Sequence, residues 1–276
     1  PCSTSNACAA LVQPIATPAT RGARYRGWRL TSLDGTCLDV ADTEENRAEF
    51  GLPGASRGES AFPQLRLVAL VENGTHVLFG ARLGRYAEGE TTLAHAVLGA
   101  LRPGMLCLAD RQFFGHALWG RAVSSGADLL WRVKSNLRLP REQVLPDGSY
   151  LTTAYPSAAD RRHRRNGLRL RVVEYRLEGI PDTEPLYRVV TSILDPQRAP
   201  AAELAGLYHE RWESEGTFAE LKVSLPGERL MLRSRRADLV EQEVYGLLLV
   251  HLALRQLMYE ASRQNGCDPD QLSFLH

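Results

Sequence analysis

Two apolar, β-branched stretches, "LRLVALVE" ending at Glu72 and "THVLFGARL" starting at Thr75, flank the dipeptide Asn73-Gly74. That pair favours a two-residue type I′ turn, so an antiparallel hairpin is expected here. A further strand, "WRLTSLD", precedes it and is expected to end at Asp34, before Gly35. Downstream, a helical pattern at about 89–101 leads to the short apolar run "MLCLAD", which closes on Asp110. A helical stretch near 112–125 and the strand "LLWRVK" complete a β-β-β-α-β-α-β series. Such an order gives an α/β layer with antiparallel strands first and parallel strands after, and places Asp34 and Asp110 at strand ends.

The texture changes from about 138 to 196, where turns (Asp147-Gly148, Asn166-Gly167) alternate with the strands "LRLRVVEYRL" and "LYRVVTSIL". This reads as a β-rich insertion, and the helical pattern returns at Ala201. The expected organisation is a lead-in segment (1–26), a first core part (27–137), the insertion (138–200) and a helical C-terminal core part (201–276). The chain opens on Pro1 rather than methionine, so an N-terminal portion is expected to be missing.

The totals exclude several classes. A chain of 276 residues, 44% apolar and 24% charged, has ordinary globular composition. Its net charge of +1 announces no nucleic-acid partner, so any such contact must come from local clusters. Cys2, Cys8, Cys37, Cys107 and Cys267 are odd in number and show no C-x-x-C spacing, which argues for reduced thiols rather than a disulfide framework or zinc site. The run "GLLLVHLALRQLM" is too short for a membrane span and is expected to be a core helix. Phosphate-loop, G-x-S-x-G and H-E-x-x-H patterns are absent, and His116 and His251 read as satisfied core histidines.

One stretch carries chemistry: "YHERWESEGTFAELK", residues 208–222. If 203–225 form one α-helix, Tyr208, Arg211, Glu215 and Lys222 fall within a stripe about 60° wide, beside a buried face of Leu207, Phe218, Leu221 and Leu225. His209, Glu210, Glu213 and Glu220 fall on the far side, which leaves Glu215 as the glutamate turned away from solvent. A boundary salt bridge, Arg211 to Glu215, explains the pattern as well as a functional site does. Composition adds to the second reading: among 31 arginines and two lysines, Lys222 points to a need for a compact ammonium, as in phosphate contact. Asp110 closes a buried run where an unpaired carboxylate is costly, so it calls for a partner or a metal. Asp34, taken alone, reads as a turn residue before Gly35.

The spacing Tyr-(2)-Arg-(3)-Glu-(6)-Lys resembles the signature of bacterial insertion-sequence transposases of the "insertion sequence four" family, within the DDE superfamily. "SLDGTCLDVADTEEN" and "LCLADRQF" resemble that family's two other acidic motifs, and "LRSRRADLVEQEVYG" the segment after the signature. The resemblance covers about residues 25–260. It implies a ribonuclease-H-like mixed sheet flanked by helices, with the β-rich insertion before the last catalytic helix. It also implies Asp34, Asp110 and Glu215 as catalytic, metal-ligating carboxylates for two magnesium ions, with manganese able to substitute, and Asp39 and Asp42 as rival ligands in the first motif. The activity implied is DNA strand cleavage and strand transfer on transposon-end and target DNA by a homodimer on DNA, in the bacterial cytoplasm at the nucleoid, with no membrane or small-molecule partner. Tyr208, Arg211 and Lys222 would hold backbone phosphates, with Arg111 a further candidate. For Trp212 core packing is the first expectation and stacking on an unpaired base the second. The basic run 161–171, with Arg161, Arg162, Arg164 and Arg165, reads as a hairpin touching the DNA backbone.

Family members carry a bulky apolar residue before the glutamate and a non-glycine after it; here stand Ser214 and Gly216. The departures leave two other outcomes open: an inactive remnant that binds DNA or inhibits intact transposase, and a ribonuclease-H-like nuclease without strand transfer. The arginine-rich, lysine-poor usage points to a high-GC bacterial genome. Little of the family's N-terminal DNA-binding region fits before Asp34.

Overall fold

The computed structural model describes residues 12–55, 58–59, 62–177, 186–225, 227, 230–269, 272 and 274. Cys2 and Cys8 lie outside them, as does most of the lead-in segment; Cys37, Cys107 and Cys267 are free thiols. The chain divides into two units, one of Pro1–Gly27, Ser32–Ala100 and Trp212–His276, the other of Trp28–Thr31 and Leu101–Arg211.

Strand β1, Trp28–Val40, contributes to both units. At thirteen residues it runs well past Asp34, which therefore sits inside a strand and not at its end. Gly35 is a close-approach glycine here and not a turn residue: a Cβ would meet the Glu90 side chain and Val68 Cγ2 at 3.2 Å.

In the first unit, β2 (Gln64–Glu72) and β3 (Val77–Arg85) form the expected antiparallel hairpin, with a bulge between Val68 and Leu70. The strand order is β3-β2-β1, and Met231–Leu232 adds a short parallel piece beside Asp39 and Val40. The turn spans four residues, 73–76, and not two; His76 N donates to Glu72 O (3.0 Å), and Gly74 and His76 both have positive φ. Helix α1 (Glu44–Phe50) is capped by the Thr43 hydroxyl, which accepts from Asn46 N. Helix α2 (Glu90–Val97) packs on β2 and β3. Leu67, Ala69 and Val71, alternate residues of β2, join Leu78, Ala81, Phe218 and Leu221 in one buried cluster. Helices thus cover both faces of the hairpin, which is why β2 is apolar at consecutive positions and does not alternate.

In the second unit, β4 (Met105–Ala109) runs parallel to β5 (Asp128–Arg132), pairing Ala109 with Trp131. Helix α3 (His116–Ser124) lies between them in sequence. The region read as an insertion supplies β6 (Tyr150–Ala154), β7 (Leu168–Tyr175) and β8 (Tyr187–Thr191), and β8 pairs antiparallel with β5, so these strands continue the same sheet. A short helix, α4 (Ala158–His163), interrupts the expected basic hairpin; its positive charges are strung along a single turn and its cap.

Arg171, the last residue of that basic run, is fully buried. Its guanidinium donates to Ser149 Oγ (2.8 Å) and Ala199 O (2.7 Å) and pairs with Asp147. Asp147 also accepts from Ala201 N (2.9 Å), the first residue of α5 (Ala201–Leu207). The Asp147-Gly148 turn thereby fixes where the C-terminal helical part begins.

Helix α6 (Glu213–Ala219) and α7 (Ala237–Asn265) belong to the first unit. The apolar run 246–258 lies in α7, which has one buried face, including Val244, Tyr245, His251 and Arg255, and leaves Leu249, Val250 and Leu257 exposed. It is therefore not buried all round as a core helix would be. Among the described residues no helix is long and apolar enough to cross a membrane.

Gly74 has φ +77°, and a Cβ there would meet Arg21 O at 2.5 Å and Ala23 N at 2.7 Å. Gly74→Ala combines left-handed strain of about 1–2 kcal/mol with a backbone clash. It is expected to lower the urea midpoint by an amount equivalent to about 2 kcal/mol or more, read in equilibrium unfolding.

Candidate active site

The stretch 201–225 is not one α-helix. After α5 the backbone tightens into a 3₁₀ turn over Tyr208–Trp212, resumes as α6, and widens into a π-turn over Glu220–Ser224, where Leu225 N donates to Glu220 O (2.8 Å). A 3₁₀ turn advances faster about the axis than an α-helix and a π-turn more slowly, so a stripe computed at a constant angle does not survive. The consequence falls on two glutamates. Glu215 is exposed, whereas Glu220, expected on the solvent side, is drawn inward with 13% of its side chain exposed.

Glu220 meets a buried basic group. Arg255 of α7 pairs with it through both guanidinium edges, with Nε donating to Oε2 at 2.9 Å and Nη2 to Oε1. His251 Nε2 lies 3.2 Å from Oε2, and His76 Nδ1, from the hairpin turn, 2.9 Å from Oε1. One residue of α6, Glu213, accepts from Gly74 N and reaches to 3.9 Å from His76 Nε2. The segment carrying Glu215 is therefore clamped between the β2–β3 turn and α7. Burial alone would raise the Glu220 carboxyl; the hydrogen bonds from His251 and His76 and the Arg255 charge outweigh it and hold it at about 2. Burial pushes the His251 imidazole below its usual value, against the pull of Glu220.

Two contacts stitch the same segment to β1. Ser214, fully buried on α6, donates from Oγ to Asp34 Oδ2 (2.8 Å), and Gly35 N donates to Asp34 Oδ1 (2.8 Å). Lys222 Nζ donates to Thr36 Oγ1 (3.1 Å). Asp34 and Thr36 are two apart on a strand and so share a face. Of the rival acids, Asp42 pairs with Arg47 (2.6 Å), whose hydrogen bond holds it below the usual carboxylate range, and Asp39 Oδ1 accepts from Gln64 Nε2 (2.7 Å).

In the second unit Asp110 follows β4 directly and is half-buried. Tyr208 is buried, and its hydroxyl lies 3.5 Å from the carbonyl of Ala109, the residue before Asp110. Burial pushes the Tyr208 phenol up, offset in part by Arg211 and reinforced by Asp110. Arg211 is buried as well. Arg111 is exposed and lines an open polar cleft with Gln112, Lys134, Ser135 and Asn136; Lys134 is the chain's other lysine. Arg161, Arg162, Arg164 and Arg165 are all exposed on α4 and its cap. Trp212 is 63% exposed, so core packing does not explain it. His116 bonds Asn166 O through Nε2 at 2.6 Å, and His251 belongs to the Glu220 cluster.

Residues 27–253 match the family described as Transposase DDE domain. The chain belongs to this family. Over 259 residues it is 29% identical to "Transposase InsG for insertion sequence element IS4" of Escherichia coli K12, covering 93% of this chain and 58% of that protein. It is also 28% identical to "Putative transposase InsZ" of the same organism, over 44% of this chain and 40% of the relative. The chain thus spans less than two thirds of the length of these curated relatives. Its fold is similar to that in "Cryo-EM structure of piggyBac transposase synaptic complex with hairpin DNA (SNHP)", with a TM-score of 0.51, 12% identity, 89% of this chain covered and 50% of the other. The ribonuclease-H-like α/β class expected from the motifs is the class found.

Asp34, Asp110 and Glu215, the acids expected from the motifs, carry hard oxygen donors of the type that suits divalent cations. Among the described residues no three His, Cys, Asp or Glu side chains are gathered as a metal group. Asp34 Oδ2 accepts from Ser214 Oγ and Oδ1 from Gly35 N, so donors from two elements hold its carboxylate. Sequence reasoning misses Ser214 and the Glu220 cluster. A buried serine on the apolar side of a helix is the signal for the first; for the second, His251 and Arg255 inside an apolar run call for a buried acid.

Glu220→Gln would leave the Arg255 guanidinium buried without its counter-ion, a loss of about 3–5 kcal/mol by analogy with other broken buried pairs, read as a fall in the urea midpoint. The pH dependence has a defined sign. The Glu220 contribution is fully present above about 4.5 and is lost as the pH falls toward about 2. The His251 imidazole is held below its usual value in the folded chain, so stability also declines as the pH drops below about 6.5, where the unfolded chain takes up the proton first. Thermal unfolding is expected at progressively lower temperature from pH 7 to pH 3, and Glu220→Gln should flatten only the lower part of that decline.

Proposed function

We propose that the chain is a transposase catalytic domain that cleaves DNA strands at transposon ends and joins them to target DNA, using Asp34, Asp110 and Glu215 as its acidic triad. The observation that carries this reading is the family match, which spans all three acidic motifs in order. The hydrogen-bonded fixing of Asp34 supports it further. The three carboxylates would hold magnesium or manganese, which when bound would neutralise phosphate charge and activate an oxygen nucleophile. Asp34 brings oxygens fixed on a strand, Asp110 brings them at the end of β4, and exposed Glu215 brings them from α6.

The remaining residues position DNA. Lys222 commits one of its three N–H donors to Thr36 and offers the rest to a phosphate. Arg211 adds a planar fork, and Tyr208 holds the backbone next to Asp110 through the Ala109 carbonyl. Exposed Trp212 is suited to stack on an unpaired base near the cut. Residues 138–200 act as an arm whose Arg161, Arg162, Arg164 and Arg165 contact the sugar-phosphate backbone, and Arg111 adds a contact beside Asp110. Action on two ends calls for a homodimer on DNA.

Two measurements test this. Glu215→Gln and Asp110→Asn are each expected to cut manganese-dependent nicking of an end-bearing duplex at least about a hundredfold, as loss of several kcal/mol of transition-state stabilisation requires, with DNA retention unchanged. Nicking at the wild-type rate by either variant would exclude the triad. Replacing the four arginines of α4 and its cap by alanine should weaken DNA binding regardless of sequence and reduce the slope of log K against log salt by about 0.9 for each phosphate that is no longer neutralised.

A further inference from the structure

We infer that the open cleft beside Asp110 is a DNA-strand subsite in which Lys134 anchors a backbone phosphate next to the one that is cut. The inference deepens the reading above and rests on Asp110 lying at the cut.

The sheet places the cleft. β4 and β5 run parallel, with Ala109 paired to Trp131, so the loops that leave their carboxyl ends emerge side by side, where open α/β sheets hold their ligands. The first loop brings Arg111 and Gln112, the second Lys134, Ser135 and Asn136, and together they line a cleft of about 690 Å³. Two cations and no acid stand among these lining residues. The Lys134 ammonium and the side-chain amides of Gln112 and Asn136 form no hydrogen bond or ion pair with another described residue. Elsewhere exposed cations are met by acids, as Arg47 is by Asp42, Arg85 by Glu49 and Arg169 by Glu142.

The turn that carries Lys134 is braced from behind. Leu137 N donates to Lys134 O (3.1 Å), and Arg188 of β8 donates from Nη1 to Leu137 O (3.0 Å) and to Ser135 O (3.4 Å). Arg188 is held in turn by its cross-strand neighbour Glu174, whose Oε1 accepts from Nε at 2.8 Å. A guanidinium fixed on the sheet thus occupies two carbonyls of the turn, so less ordering of its backbone is left to oppose binding when an anion arrives. Donors on both walls of an open cleft suit a phosphodiester strand that passes through it. The ammonium supplies a compact point charge that bonds a phosphate oxygen from any side.

The test is a phosphate-by-phosphate cycle on the full chain. Each phosphate within a few nucleotides of the cut in an end-bearing duplex is replaced in turn by an uncharged methylphosphonate. Binding without divalent cations is followed by fluorescence anisotropy for wild type, Lys134→Gln and Arg85→Gln, the last removing a charge elsewhere, each checked for folding by circular dichroism. At one position beside the cut the replacement is expected to weaken binding by wild type and Arg85→Gln about fivefold, and to leave Lys134→Gln unchanged. Lys134→Gln is also expected to reduce the slope of log K against log salt by about 0.9, as loss of one phosphate contact requires. An unchanged slope, or equal methylphosphonate effects in wild type and Lys134→Gln at every position, with manganese-dependent nicking still lost in Asp110→Asn, would overturn the Lys134 subsite and leave the proposed function standing. Nicking that survives Asp110→Asn, or no nicking by the wild type, would overturn the proposed function and this inference with it.

Discussion

The ion pair between Glu220 and Arg255 decides how the segment bearing the signature residues folds. A glutamate drawn inside must be met by a charge, and Arg255 meets it through two guanidinium nitrogens while His251 and His76 occupy the remaining edges. The pair closes between the π-turn after α6 and the middle of α7, two stretches separated by 35 residues. The backbone widens into the π-turn at Glu220–Ser224, beginning at the residue that forms the pair. A buried charge pair of this kind is costly to break, because a missing partner leaves an uncompensated charge in the interior.

From this clamp the arrangement on β1 follows. Ser32, Asp34 and Thr36 alternate along one face of the strand and bond in turn to Asn73 of the hairpin turn, Ser214 of α6 and Lys222 of the π-turn. The hairpin turn, α6 and the π-turn are the elements that also meet at Glu220, Glu213 and His76. A polar ladder on the strand face and a buried charge cluster behind it therefore hold the same pieces of backbone from two sides. Rigid support of this kind is what a carboxylate needs if it is to bind a hard cation without reorganising.

Much of this is legible in the sequence wherever it depends on period. The hairpin, α2, β4, α3 and β5 follow from apolar spacing and turn residues, and the fold class follows from their order. The expectations that fail share one cause: each assumes that local geometry continues unchanged. Gly35 looks like a turn residue that would end the strand at Asp34, whereas the glycine serves the close approach of Glu90 and Val68 and the strand runs on to Val40. The stripe of Tyr208, Arg211, Glu215 and Lys222 assumes one continuous helix, and tertiary contacts break it into four segments. Trp212 belongs in the core on its residue type alone, yet it is exposed. None of the partners that decide these outcomes is near in sequence; Ser214 and Asp34 are 180 residues apart, and His251 and Arg255 lie 31 and 35 residues beyond Glu220.

Lysine at 222 has a physical reason beyond its charge. In a chain with 31 arginines and two lysines, this position puts an amine 3.1 Å from a threonine hydroxyl on the strand that carries Asp34. An ammonium is a compact donor that can bond one neighbour and turn its other hydrogens elsewhere, whereas a guanidinium is a rigid planar fork that commits its donors in one plane. Beside half-buried Thr36 and Cys37, and near the Arg66–Glu90 pair that also acts on the Cys37 thiol, a second planar group would compete for the space and the acceptors already in use. The lysine therefore meets a demand that arginine meets poorly: a single short bond inward to the strand from a compact donor.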